Sequence, residues 1–178
     1  MTQPFISSAE KIELTNFKLN KSGYYITLSF MYLMIAIPIL AFIFIVSSGG
    51  KPAIGLLIFT IALGFGAYFF YRLATWNKHG KENFILANDL LIYKPEAKKI
   101  SYKEFEFKIE NLVVSIIDTE DRVEYEGTQQ PIAWLKLSDG QNTIQTNIKT
   151  PKSVLIELTK VFEKWGIQND RLLEEIKD

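Results

Sequence analysis

Cysteine is absent from this chain and histidine occurs once, at His79. Disulfides, thiolate nucleophiles, CxxC redox pairs and thiolate-bound zinc or iron–sulfur centres are therefore excluded. Charge is missing too over one long stretch, because Lys51 alone interrupts the uncharged run between Ser22 and Tyr71. Elsewhere the 178 residues carry 20 basic and 20 acidic side chains, so the zero net charge averages two unlike regions. With no basic stripe to collect phosphates, nucleic-acid binding is not expected.

Within the uncharged region, Tyr24 to Val46 forms a run of 23 residues, of which thirteen are Leu, Ile, Phe or Val. As a helix at ~1.5 Å per residue it is long enough to cross roughly 30 Å of hydrocarbon. A second run, 53–72, follows the short link SSGGKP, whose Gly49-Gly50 pair favours a turn and whose Pro52 suits a helix start. The expectation is a transmembrane hairpin with spans 24–46 and 53–72, preceded by a cytoplasmic segment, 1–23. Tyr24, Tyr25, Arg72 and Trp76 stand at the ends of the runs, as membrane-interface anchors do. A cleaved signal peptide fits poorly, since its apolar core is shorter and ends at a small-x-small site.

Lys11, Lys18 and Lys21 precede the first run, and Arg72, Lys78 and Lys81 close the second, against Lys51 alone between them. That asymmetry predicts both termini in the cytoplasm. Pro38 removes a backbone donor within the first span. Ala62, Gly64 and Gly66 give the second a smooth face for helix–helix contact, with another chain or within the hairpin.

Residues 77–178 read as a cytoplasmic domain, with 33 charged residues among 102. Phe84-Ile85-Leu86 and Leu90-Leu91-Ile92-Tyr93 flank Asn88-Asp89, a hairpin pattern, and another turn is expected at Lys94-Pro95-Glu96. Phe105, Phe107 and Ile109 alternate with charged residues, as in a strand with one wet face. Leu112–Ile117 continues as a strand to a charged turn at Asp118–Asp121, and Val123 and Tyr125 alternate beyond it. After a loop at Gly127–Pro131, Ile132–Leu137 and Thr143–Ile148 flank Asp139-Gly140. Thr150 and Pro151 then open an amphipathic helix on which Val154, Leu155, Leu158, Val161, Phe162 and Trp165 share a stripe, ended by Gly166. Asn169-Asp170 is a possible cap for a last short helix with Leu172, Leu173 and Ile176.

FILANDLLIYK, ISYKEF, WLKLSDGQNTIQT and TPKSVLIELTKVFEKWG, placed after a two-span hairpin, resemble the bacterial membrane-anchored PH-like domain proteins, including the YcxB-like group. The resemblance implies a small sandwich or barrel of about seven strands, capped by the C-terminal helix and used for binding. It also implies a bacterial inner membrane, without naming a partner.

Candidate chemistry is sparse. His79, the one imidazole, lies just past the second run and reads as an exposed linker residue. Glu104/Glu106 and Glu124/Glu126 are two apart, but the aromatic residues between them claim the core and send the acids to water. Lys94, Lys98 and Lys99 offer a possible lipid-headgroup contact in the first loop of a PH-like fold, opposed by Glu96 and the domain's net −3. No catalytic, metal or cofactor site is expected. The favoured function is a non-enzymatic scaffold or subunit of a membrane complex that meets membrane lipid and binds a protein partner or a second copy. The alternatives are an immunity protein against a membrane-acting toxin and an anionic-lipid-binding module.

Overall fold

In the computed structural model, residues 5–15, 21–51, 54–98 and 100–169 are described. They divide into two units: Leu19–His79 is one, while Met1–Lys18 joins Gly80–Asp178 as the other. The last short helix expected from Leu172, Leu173 and Ile176, and Pro52 in the link, lie outside the described residues.

The helical unit consists of α1 (Lys21–Ser47) and α2 (Ile54–His79). Both are long and apolar enough to cross a membrane, and only 6% of the most apolar stretch of each is buried. A core helix of a soluble protein would be mostly covered; here Phe44, Phe65 and Ile54 are more than 70% exposed. α1 runs through Pro38 without a break. α2 outlasts the expected span and carries Trp76, Asn77, Lys78 and His79 on its last two turns.

Ahead of the helices the structure finds two strands that the sequence reading lacks, β1 (Phe5–Ser7) and β2 (Lys11–Thr15). In β2, Ile12 and Leu14 are fully buried while Lys11 is exposed, so a period of two was present but short. β2 pairs antiparallel with β3 (Gly80–Ala87) over five positions, from Lys11↔Ile85 to Thr15↔Lys81. The helical pair is thus inserted, in sequence, between two neighbouring strands of one sheet.

β3 turns into β4 (Leu90–Ala97) at Asn88, whose positive φ of 54° an asparagine tolerates. The turn expected at Lys94-Pro95-Glu96 is strand instead. Tyr102 N–H donates to the Pro95 carbonyl at 3.3 Å, so Pro95 turns its missing donor away from β3 and the β3–β4 ladder loses nothing. The turn falls at Lys98, with φ 58°, before β5 (Ile100–Ser101). β6 (Phe105–Lys108) pairs with the first half of β4, and Ile109 leaves the strand for a short 3₁₀ turn, Ile109–Asn111. The first sheet reads β1-β2-β3-β4-β5, with β6 also on β4.

The second sheet is built on the hairpin β7 (Val113–Tyr125) and β8 (Thr128–Ser138). Asp118–Asp121, read from sequence as a turn, is instead a bulge inside β7, where pairing shifts between Asp118↔Ala133 and Arg122↔Pro131. The reversal sits at Glu126-Gly127, both at positive φ, the backbone a two-residue hairpin needs. Pro131, expected in a loop, lies within β8. Asp139-Gly140 does begin the next turn: Asp139 Oδ1 accepts from the Gln141 and Asn142 amides, and the shorter β9 (Thr143–Gln145) follows.

Thr150-Pro151 forms β10 on β8, so Thr150 does not cap the helix, and its buried hydroxyl has no hydrogen-bond partner among the described residues. α3 (Lys152–Lys164) buries the apolar stripe through Val154, Leu155, Leu158 and Phe162. It ends in a Schellman motif. Ile167 N–H donates to Phe162 O, Gly166 N–H donates to Glu163 O, and Gly166 takes φ 79°. β11 (Gln168–Asn169) then lies parallel to β7. Phe84 and Phe162 meet edge to face at 5.3 Å, which ties the first sheet to α3.

Candidate functional site

In the helical unit, α1 and α2 meet as an antiparallel pair through named contacts. Lys78 Nζ lies 4.8 Å from the Tyr24 ring, Asn77 donates to Thr27 Oγ1 at 3.4 Å, and Phe30 stacks on Phe70 at 5.5 Å. A Cβ on Gly66 would come within 2.5 Å of Met34 Sδ, so Gly66 permits the helices' close approach. Of the three small residues singled out for helix contact, Gly66 therefore faces the hairpin partner, whereas Ala62 and Gly64 are exposed. Gly64 borders an apolar groove of about 420 Å³ between Pro38 and Phe42 of α1 and Leu56 and Thr60 of α2. The interface anchors are spread over both ends that adjoin the β unit in sequence: Tyr25 is 63% exposed, Tyr24 is half-covered, and Arg72 stands 6.0 Å from the Tyr68 ring. Trp76 is half-buried on α2.

The three loop lysines do not form one cluster. Lys94 lies in β4 and pairs with Glu104, whose hydrogen bond raises the ammonium's pKa. Lys98 is exposed in the turn, and Lys99 lies outside the described residues. A cation already held by a carboxylate is a poor collector of phosphate. The acidic pairs are placed on water as expected: Glu104, Glu106, Glu124 and Glu126 are all exposed, with Glu126 in the β7–β8 turn. His79 is exposed at the C-terminus of α2, a helical position rather than a linker. Among the described residues no three His, Asp or Glu side chains gather closely enough to hold a metal.

The most unusual group was not picked out from the sequence. Glu82 of β3 is completely buried, one carboxyl on the inward face of the first sheet. Its Oε1 accepts from Tyr93 Oη–H at 2.5 Å and from the Asn147 amide at 2.6 Å, with Asn147 Nδ2 at 3.5 Å. Oε2 has no partner among the described residues. Removal from water pushes its pKa up to about 7, against the pull of the Tyr93 and Asn147 hydrogen bonds and a weaker one from the Ile148 amide. Burial, and then the carboxylate's own charge, push the Tyr93 phenol well above its ordinary range. Counting back in twos from Phe84 puts Glu82 on the inward face, and that was the available signal.

No family model matches the chain, and no curated protein is similar to it. What fold and site define is coarser than a family: two long apolar helices followed and preceded by strands of one β-rich unit, against whose sheets α3 packs.

Proposed function

We propose that the chain is a non-enzymatic protein of a bacterial inner membrane, in which two spanning helices hold a PH-like domain at the cytoplasmic face and that domain binds a protein partner. One observation carries the reading. The strands on either side of the helical pair, β2 and β3, are registered neighbours in one sheet, so the chain leaves and rejoins the same folded body. A water-soluble unit interrupted by an apolar hairpin has the form of an anchor, and the exposure of that hairpin supports lipid as its solvent.

The PH-like assignment draws on two sheets completed by a C-terminal helix, an arrangement that many binding modules share. Headgroup binding through Lys94, Lys98 and Lys99 ranks lower because Lys94 is engaged by Glu104. Gentle extraction from native membranes, followed by identification of co-purifying proteins, tests the proposal. A reproducible partner at constant ratio is expected; a lone monomer in every mild detergent overturns the scaffold role.

A further inference from the structure

The two units carry opposite charge. No Asp or Glu occurs between Glu13 and Glu82, so Leu19–His79 holds Lys21, Lys51, Arg72 and Lys78 with no acid, a net of +4. The remainder has 16 basic against 20 acidic side chains, a net of −4. Within the β unit lysines find carboxylates: Lys81 is held by Glu13 at 2.6 Å, and Lys94 by Glu104. The helical unit has no carboxylate side chain to offer, and Lys21, Arg72 and Lys78 all belong to the end where α1 begins and α2 finishes.

At that end Lys78 of α2 is fixed across the helix pair. Its Nζ lies 4.8 Å from the centre of the Tyr24 ring on α1, and the Tyr25 ring stands edge-on to Tyr24 at 5.2 Å. A ring attracts an ammonium through its quadrupole but bears no net charge, so the contact positions the cation without neutralising it. The macrodipoles of antiparallel helices oppose each other at a shared end and leave the side-chain charge in force. Lys78 is exposed, and so is Tyr25. From Ile54 to Lys78 the helix rises about 36 Å against roughly 30 Å of hydrocarbon, which puts Lys78 among headgroups when Ile54 marks the far boundary. Arg72, about 9 Å lower, falls at the hydrocarbon boundary, where a guanidinium reaches outward to phosphate oxygens.

We propose that the cytoplasmic end of the hairpin is an anionic-lipid site, in which Lys78, held on Tyr24, and Arg72 bind the phosphodiester groups of negatively charged phospholipids. The inference rests on the reading of α1 and α2 as spanning helices. A zwitterionic headgroup brings its own ammonium and leaves the surplus positive charge in place, whereas an anionic headgroup offsets it. The occupant is lipid rather than protein because only 6% of the most apolar stretch of each helix is covered, and bilayer lipid is what surrounds such area. The site is separate from Lys94 and Lys98, which belong to the β unit.

Spin-labelled lipids added to the full chain in phosphatidylcholine vesicles test the site. Lipid touching a spanning protein gives a motionally restricted spectral component, and comparing that component for phosphatidylglycerol and phosphatidylcholine labels reads selectivity. A basic side chain near the surface is worth up to about fivefold in local occupancy. Averaged over all the lipid around the hairpin, the wild-type chain is expected to favour phosphatidylglycerol about twofold, and to lose that preference in about 1 M salt. Lys78→Gln combined with Arg72→Gln should bring the ratio to about one, while Lys94→Gln should leave it at the wild-type value. Equal restriction of both labels by the wild-type chain, a preference that survives the double substitution, or one that Lys94→Gln removes overturns the lipid site and leaves the spanning helices standing. No restricted component from either label overturns the spanning helices, and the site falls with them. Should the doubly substituted chain fail to reconstitute, the wild-type salt dependence decides: a preference lost in high salt supports the site, and an unchanged one ends it.

Discussion

Two carboxylates on neighbouring strands respond to pH in opposite directions because their surroundings differ. Glu82 is fully buried and accepts from Tyr93 and Asn147, whereas Glu13 of β2 is partly exposed with Lys81 Nζ at 2.6 Å and Lys11 Nζ at 3.6 Å. The hydrogen bond from Lys81 holds the Glu13 carboxyl below its usual value of 4.5, with burial opposing it. A carboxyl whose folded pKa is depressed contributes stability above its unfolded value, and that contribution disappears as pH falls through the folded value. Both lysines are nearly half-exposed, so the pair is worth no more than about 0.2–1 kcal/mol. Glu13→Gln should therefore lower stability by that amount at neutral pH and by progressively less as the pH falls below 4.5, as urea titrations at pH 7 and pH 3 would show. An equal cost at both would assign the effect to packing. Glu13 belongs to the segment in which the sequence reading found no strand, and its tie to Lys81 was not legible either, because 68 residues separate them and only strand pairing brings them together.

At the scale of elements, long or strongly periodic segments were readable from sequence: both apolar helices, the β3–β4 hairpin and the stripe of α3 each carry their own signal. Short pieces whose structure depends on a distant neighbour were not. β2 offers only Ile12 and Leu14, and β1 is three residues long, so neither announces itself without β3 beside it. The bulge at Asp118–Asp121 looks like a turn because its four residues are polar. A bulge tolerates that composition equally well, and only the pairing on either side distinguishes the two. A practical consequence follows for dissecting the domain. A fragment beginning at Gly80 lacks β2, which exposes the β3 edge from Lys81 to Ile85 and uncovers the core where Ile12 and Leu14 are fully buried. Losing two such side chains costs about 2–5 kcal/mol each, comparable to the whole stability of a small domain. Residues 80–178 alone should aggregate or remain unfolded by circular dichroism, while 1–15 joined to 80–178 by a short glycine-serine linker should fold. A cooperative transition of equal midpoint in both fragments would show that β1 and β2 are dispensable.

For the whole molecule, strand pairing constrains sidedness more tightly than charge counting does. The excess of Lys and Arg outside the apolar runs over Lys51 between them is a bias that a few substitutions can reverse. The five registered pairs of β2 with β3 fix what that count leaves open, that both flanks of the hairpin share one side, since backbone hydrogen bonds cannot be made through hydrocarbon. If α1 and α2 both cross the bilayer, residues 5–15 and 80–169 must lie on one side and Ser48 on the other. The absence of cysteine makes this directly testable, because each single-cysteine variant carries one thiol. Glu10→Cys, Asn142→Cys and Ser48→Cys all substitute exposed positions. In intact cells a membrane-impermeant maleimide should label Ser48→Cys alone, and all three after permeabilisation. Glu10→Cys and Asn142→Cys labelled from opposite sides would contradict the β unit itself. All three labelled in intact cells would contradict the anchor and leave the β unit standing, so the two halves of the architecture fail separately.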